Sequence, residues 1–286
     1  MHAAPHDARD WGPVLQQLAR DLDIRDYSAG ALWFAMDGGP PIVVEPLTDA
    51  SVLAIHANLG AASPERHGDG DAPYARMLAA NGRAGSDGLL YGVDPLNQTP
   101  ILYQRLEDAA AWSYSDFVSQ LREFADGARR AADGSALEGN DDIRADLSGL
   151  TVIHEDAFHS LWADFLFERG LAALCERPSE PTGGLIALDD GGWLLVHHEA
   201  ESGMVLLETV VGTLPDRDEK VFRELLEAHL LGEATDGACF ALEPDDSTVV
   251  AFRRLPLQGL DATTLGAALD GLGITAARFG AALGLA

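Results

Sequence analysis

An internal repeat constrains this chain more than any other feature of its sequence. Residues 86–95 (SDGLLYGVDP) align without a gap with residues 235–244 (TDGACFALEP), at an offset of 149 residues. The same offset aligns Tyr103 with Phe252, so both copies have an aromatic residue at this position. A repeat with this period predicts two copies of one structural unit rather than a single larger domain.

Each copy has the same order of hydrophobic patterns. A helical stripe comes first, formed by Trp11, Leu15 and Leu18 in copy one and by Phe158 and Phe165 in copy two. Three short β-type runs, a second helix, two more strands and a closing helix then follow in both copies. The predicted segments are 11–22, 31–36, 42–45, 52–58, 73–80, 89–93, 101–105 and 115–132 in copy one, and 158–165, 184–188, 193–198, 204–211, 216–231, 238–242, 249–254 and 261–283 in copy two.

These patterns predict an α+β protein with two tandem α-βββ-α-ββ-α units. The first unit would span residues 1–132 and the second residues 151–286. Residues 133–150 are rich in Gly, Asp and Ser, which indicates a solvated linker. In the second unit, Pro215, Asp216 and Glu219 form a capping-box pattern that predicts the start of the middle helix at Asp216.

The two copies differ at their second strand. Pro40, Pro41 and Pro46 bracket this strand in copy one, whereas residues 193–198 (WLLVHH) keep every backbone amide in copy two. Proline cannot donate to a β-ladder and is typical of sheet edges. We therefore expect the second strand to form a sheet edge, which proline blocks in copy one and which stays open to a partner strand in copy two.

The second copy resembles a known family. Its runs 225–232 (LLEAHLLG), 237–242 (GACFAL) and 249–257 (VVAFRRLPL), followed by Leu260 and Asp261 opening a long helix, are similar to the carboxy-terminal half of the class I type III secretion chaperones, the Tir-chaperone family. The order of elements also matches that family. The resemblance covers most of residues 158–283 directly, and residues 11–132 through the repeat.

The resemblance implies a small, acidic, cytosolic protein that binds no nucleotide and has no enzymatic activity. Such chaperones act as homodimers and hold the amino-terminal segment of a secreted effector extended, soluble and competent for secretion. This chain is about twice the usual length, so we expect two fused subunits that form an intrachain pseudo-dimer and leave the chain monomeric. A related-fold regulatory module that does not serve secretion and a hydrolase with a dispersed site are the alternatives.

The first helix of copy two carries a second set of apolar residues. At 100° per residue, Phe167, Leu171 and Leu174 lie roughly opposite the stripe that begins at Phe158. A helix with two apolar faces needs two partners. One interpretation is that this second face packs against the linker or copy one. The functional interpretation is a groove that binds the partner, lined by Trp162, Phe167, Leu171, Trp193 and Leu195.

Composition supports a protein partner over nucleic acid or a membrane surface. The formal net charge is −27, and only one lysine, Lys220, occurs among the 19 basic residues, so phosphate groups would be repelled. With 47% hydrophobic residues the chain has enough apolar material for packed cores. No run of residues predicts a signal peptide or a membrane span, and we expect a cytoplasmic location.

Motifs for catalysis or metal binding are not recognisable. His154 and His159 are five residues apart rather than the four that place two zinc ligands on one helix face. The glycines around residues 68–71 lack the context of a nucleotide-binding loop, and neither Cys175 nor Cys239 lies in an electropositive setting. We therefore predict no catalytic, cofactor-binding or metal-binding residues.

Overall fold

The computed structural model describes most of both repeats. The residues described are 11–24, 30–36, 38–48, 52–60, 73–83, 88–107, 112–133, 151–171, 183–187, 192–199, 202–214, 218–243 and 248–285. Nearly all of the expected linker, together with Leu174, Cys175 and residues 68–71, lies outside them.

The elements follow the predicted order twice. The first set is α1 Gly12–Asp21, β1 Leu32–Phe34, β2 Ile42–Pro46, β3 Leu53–Asn58, α2 Pro73–Arg83, β4 Leu90–Val93, β5 Pro100–Leu106 and α3 Tyr114–Ala132. The second set is α4 Thr151–Glu168, β6 Gly183–Ala187, β7 Trp193–Glu199, β8 Met204–Thr213, α5 Glu219–Ala228, β9 Cys239–Leu242, β10 Thr248–Pro256 and α6 Ala262–Leu283, with a short 3₁₀ segment, Leu230–Thr235, after α5. The predicted α+β class and the α-βββ-α-ββ-α order are confirmed.

Two antiparallel sheets share one topology. The strand order is β1-β2-β3-β5-β4 in the first sheet and β6-β7-β8-β10-β9 in the second. Contacts divide the chain into two compact units, one built on each sheet, and the end of α2 from Asn81 groups with the second unit. None of the helices in the described part of the chain has the length and apolar content that a membrane-spanning segment needs.

The expectation that the second strand of each copy forms a sheet edge is wrong. β2 lies between β1 and β3, and β7 lies between β6 and β8. The prolines around β2 are compatible with this position because Pro46 is the last residue of the strand and Pro40 and Pro41 precede it. The edge strands are instead β1 and β4 in the first sheet and β6 and β9 in the second.

The helices of the second unit cover one face of its sheet. Leu194, Val196 and His198 alternate along β7 and are buried on this face. The ring of His198 stacks on that of Phe158 in α4, with centroids 5.2 Å apart. From α6, the ring of Phe279 meets Phe240 of β9 edge-on at 4.8 Å. This helix-covered side is the core of the unit, and strand alternation leaves the other side of β7 facing away from it.

Helix α5 begins later than the capping pattern predicts. The N-cap is Asp218, whose carboxylate accepts a hydrogen bond from Lys220 N at 2.9 Å, and the helix starts at Glu219. The prediction that it starts at Asp216 is therefore wrong, and Asp216 itself lies outside the described residues. Two aspartates two residues apart are equally good capping residues in sequence, so only the backbone path distinguishes them.

A left-handed turn ends helix α4 before Leu171. Gly170 has φ +70°, and the backbone N–H groups of Gly170 and Leu171 donate to the carbonyls of Phe167 and Leu166, respectively. This pair of hydrogen bonds is the Schellman arrangement that terminates helices at glycine. Leu171 therefore lies beyond the helix, and the helical projection that grouped it with Phe167 on one face is wrong because it ignored Gly170.

A buried histidine joins the end of α5 to the sheet. His229 is fully buried, and its Nδ1 accepts a hydrogen bond from the backbone N–H of Phe240 at 2.8 Å. The two rings stack with their centroids 5.9 Å apart. The His229 side chain therefore provides the hydrogen-bond acceptor for the buried N–H of Phe240 in strand β9. This bond connects the end of α5 to that strand.

Candidate partner-binding surfaces

An exposed apolar surface lies on the side of the second sheet away from α4 and α6. We call it the outer face and define it by Leu185 of β6, Trp193 and Leu195 of β7 and Val210 of β8. Their exposed fractions are 54%, 53%, 37% and 58%. Four large apolar side chains at such exposure on one surface are typical of an interaction site.

The register of the strands makes these residues neighbours. Leu185 lies directly opposite Leu195, and Leu195 lies directly opposite Glu208 of β8. Leu194 pairs with Thr209, so Trp193 and Val210 are the next residues along their two strands. β6 forms the margin of this surface, and no described strand pairs with its outer side. The outer face therefore combines apolar side chains with a strand edge that can accept hydrogen bonds from a further strand.

A carboxylate lies within the outer face. Glu208 has Leu195 on one neighbouring strand and Phe252 on the other, and it is partly buried. Burial raises the pKa of this carboxyl, the negative charge of Glu243 raises it further, and the positive charge of Arg254 partly offsets both. Ionisation of the Glu208 carboxyl in this setting costs free energy. A cation placed beside the carboxylate would reduce that cost.

The nearest cation is already engaged. Arg254 Nε lies 3.2 Å from both carboxylate oxygens of Glu199 at the far end of β7. The guanidinium also lies over the ring of Phe252, with its central carbon 5.2 Å from the ring centroid. Arg254 is thus held by Glu199 and Phe252, and no donor among the described residues makes a hydrogen bond to Glu208.

The corresponding surface of the first sheet is different. The position between Val43 and Tyr103 corresponds to that of Glu208 and holds His56, whose Nε2 lies 3.0 Å from Glu45 Oε1. Val43 and Tyr103 are 4% and 0% exposed, respectively. The side chains around His56 are therefore buried, whereas Leu195 beside Glu208 is 37% exposed. Among the described residues of strands β1 to β5, the large apolar side chain that is highly exposed is Trp33, at 68%.

A second surface surrounds the end of α4. Phe167 is 77% exposed and forms one wall of an open cleft of about 480 Å³ between α4 and the residues that begin α6. Asp164, Glu168 and Asp261 contribute carboxylates to this cleft. A hydrogen bond from the Thr264 backbone N–H lowers the pKa of the Asp261 carboxyl, which caps α6. We call this surface the helix cleft.

The structure places the five predicted site residues on different surfaces. Trp193 and Leu195 are on the outer face, and Phe167 lines the helix cleft. Leu171 follows the turn at the end of α4 and is half-buried. Trp162 lies on the helix-covered side of the sheet, where it stacks on Phe158 and Phe165 with centroids 6.3 and 5.3 Å away.

These residues therefore do not line one groove. An added Cβ at Gly184 of β6 would overlap the ring of Trp162, which shows how closely the indole packs on that strand. Alternation along β7 turns Trp193 and Leu195 to the opposite side. Phe167 is 77% exposed at the end of α4.

Sequence reasoning missed three residues of the outer face: Leu185, Val210 and Glu208. The alternation of β8 was visible as Val205, Leu207 and Thr209 inward with Leu206, Glu208 and Val210 outward. That signal could have found Val210 and Glu208. Leu185 required the pairing of β6 with β7, which the sequence does not specify.

The described residues contain no group of three or more His, Cys, Asp or Glu side chains placed to hold a metal ion. Cys239 is a buried free cysteine.

One family model matches part of the second unit. Residues 171–278 match the model of the Tir chaperone protein (CesT) family. This match confirms the resemblance seen in the sequence, and it spans strands β6 to β10 and most of α6. No curated protein matches the chain.

Solved structures show partial likeness to this chain. A chain of the SycH–YscM2 complex of Yersinia pestis, a type III secretion chaperone with a stable fragment of YscM2, is 18% identical over 43% of this chain and 98% of its own length, with a TM-score of 0.32. A chain of the ExoT–SpcS complex of Pseudomonas aeruginosa is 14% identical over 43% of this chain and 96% of its own, with a TM-score of 0.35. YbjN of E. coli, a putative transcription regulator, is 18% identical over 47% of this chain and 93% of its own, with a TM-score of 0.33.

Proposed function

We propose, from the match of residues 171–278 to the model of the Tir chaperone protein (CesT) family, that this chain is a type III secretion chaperone. It acts in the cytoplasm and binds the extended amino-terminal segment of a secreted effector, which it keeps soluble and competent for secretion. The partner is a protein, and the proposed activity needs no catalysis and no cofactor.

The observation that carries this proposal is the outer face beside the free edge of β6. An extended segment can pair its backbone with β6 and direct side chains toward Leu185, Leu195 and Trp193. Ordering such a segment costs about 2–5 kcal/mol of the gross interaction energy, so several apolar anchors are needed. The outer face offers those anchors in a contiguous group.

The helix cleft supplies a second contact region in this proposal. Phe167, and Leu171 just beyond α4, would receive apolar side chains from another part of the same segment. Trp162 would act indirectly, because its ring supports β6 at Gly184 from the other side of the sheet. The five residues thus contribute through two surfaces and one supporting contact.

The proposal includes the architecture of the chain. We infer that residues 1–132 and 151–286 are two copies of one unit, joined by residues 133–150, and that their association replaces that of two separate subunits. The identical strand order of the two sheets supports this inference. A single chain of 30.3 kDa would then be monomeric, which sedimentation or light scattering measures directly.

Acidity suits the proposed role. The net charge of −27 keeps a complex with an apolar segment soluble through mutual repulsion of the complexes. The field of exposed charges fades beyond about 8 Å at physiological salt, so only charges close to a docked segment affect its binding.

Co-expression tests the proposal. The chain is expressed with the amino-terminal segments of proteins that the same host exports, and the soluble fraction is examined for a complex. We expect one segment to become soluble only with the chaperone. Leu195→Asp should abolish this effect by placing a charge on the outer face, and Phe167→Asp should weaken it.

Leu96→Asp provides the matched control, because Leu96 is 90% exposed in a turn of the first sheet. This variant should solubilise the segment as the unmodified protein does. Equal activity of Leu195→Asp and Leu96→Asp would contradict the proposed site, and failure of every exported segment to form a complex would contradict the proposed function.

A further inference from the structure

We propose that the segment bound on the outer face presents a lysine or arginine side chain to Glu208. This inference rests on the proposed function and gives the partner a defined chemistry: an apolar extended segment with a basic residue among its apolar anchors. Glu208 would then determine specificity, while Leu185, Trp193, Leu195 and Val210 supply most of the contact area.

The position of Glu208 within the sheet supports the inference. Its backbone lies between Leu195 and Phe252 on the neighbouring strands. Leu206 and Val210 are the adjacent residues of β8 that point to the same side. A segment that covers Leu195 and Val210 must therefore also pass beside the carboxylate of Glu208.

The distance across the sheet defines which part of the segment is involved. β6 and β8 are separated by β7, so their axes are about 10 Å apart at the usual spacing of strands. A strand added outside β6 would be farther still from Glu208. The basic residue must come from a stretch that lies across the outer face rather than from residues paired with the edge.

The charges around Glu208 favour an incoming cation. Glu243 contributes negative charge, and Arg254, whose positive charge opposes it, is engaged by Glu199 through Nε at 3.2 Å. His197 is the remaining titratable residue that β7 presents on this side, and it is half-buried. Docking an apolar segment would remove the remaining water from Glu208, which is costly for a carboxylate unless a donor replaces that water.

In the first sheet, the residue at the equivalent position has a hydrogen-bond partner within the sheet. His56 occupies it and is hydrogen-bonded to Glu45 on the neighbouring strand, under a closed surface. The second sheet has a carboxylate at this position, without a donor among the described residues, next to exposed apolar side chains. This difference indicates that in the second unit the donor comes from the partner.

Synthetic peptides test the inference without knowledge of the natural partner. The probe is a short peptide of alternating leucine and serine with a central lysine, and the comparison peptide has glutamine in place of that lysine. Fluorescence anisotropy measures the Kd of each for the full chain. We expect the lysine peptide to bind about tenfold more tightly, the difference typical of a hydrogen bond to a charged group, and high salt to reduce that preference.

Glu208→Gln should remove the preference, and it should tighten binding of the glutamine peptide, because docking then no longer removes water from a charged carboxylate. Glu123→Gln is the matched control, because Glu123 is an exposed carboxylate on α3, and it should retain the preference. Equal binding of both peptides to the unmodified chain would overturn the role of Glu208 and leave the proposed chaperone function standing. Absence of binding by either peptide, together with failure of the co-expression test, would overturn both.

Discussion

Replacement of Trp193 by alanine should weaken partner binding strongly and leave the fold intact. The side chain is 53% exposed, and a tryptophan presents up to about 250 Å², so a docked segment would cover about 130 Å² of it. At about 25 cal/mol per Å² this burial contributes about 3 kcal/mol. Alanine keeps part of that area, so we expect the Kd to rise by about 30- to 100-fold.

Titration of the lysine peptide against the full chain measures this change, and circular dichroism on the same samples checks the fold. Trp33→Ala is the matched control, because Trp33 is 68% exposed on β1 of the first sheet. We expect this control to change the Kd by less than about threefold, as for contacts outside the centre of an interface. If Trp193→Ala and Trp33→Ala had equal effects, the assignment of binding to the outer face of the second sheet would be refuted.

Three further predictions concern stability. Glu208→Gln should raise the unfolding temperature at neutral pH, because the raised pKa means that the folded state disfavours the charged carboxylate; the gain should vanish as the pH falls below the ordinary glutamate pKa. His229→Ala should lower the free energy of unfolding by about 3 kcal/mol in chemical denaturation, because the buried N–H of Phe240 loses its acceptor and a cavity forms. Gly184→Val should lower it by about 1–3 kcal/mol, because the new side chain overlaps the ring of Trp162.

Each of these variants has a control. Glu123→Gln should show no pH-dependent gain, since Glu123 is exposed. His197→Ala, at a half-buried position, should cost much less than His229→Ala. Gly273→Ala in α6 should stabilise by up to about 1 kcal/mol, because nothing lies within 4 Å of the added Cβ and alanine favours a helix. A gain for Glu208→Gln that persisted in acid would refute the electrostatic explanation.

The sequence predicted the order of elements well because that order rests on local signals. The aligned segments 86–95 and 235–244 place a strand after each middle helix, and periodicity identifies the closing helices. The identity of the edge strands could not be predicted in the same way. β1 has only three residues, Leu32–Phe34, and its pairing with β2 depends on long-range contacts that no local pattern encodes.

The candidate site was predicted only in part, and for a similar reason. The exposure of Trp193 and Leu195 on one side of β7 follows from strand alternation, which is a local signal, and their contact with a partner stays a prediction. Trp162 was grouped with them because helical and strand residues were combined without knowledge of which side of the sheet the helix covers. Leu171 was placed on the helix because the projection continued through Gly170, where a positive φ ends the helix.

A photo-crosslinking amino acid at position 195, introduced into the chain in its native host, tests whether the outer face binds a secreted protein. Mass spectrometry of the crosslinked product identifies both the partner and the part of it that contacts the outer face, and the same group at position 123 reports non-specific contact. We expect crosslinks from position 195 alone to the amino-terminal segment of an exported protein, at apolar residues close to a lysine or arginine. Crosslinks from position 195 to the surface of a folded, non-exported protein, or equal labelling from both positions, would contradict it.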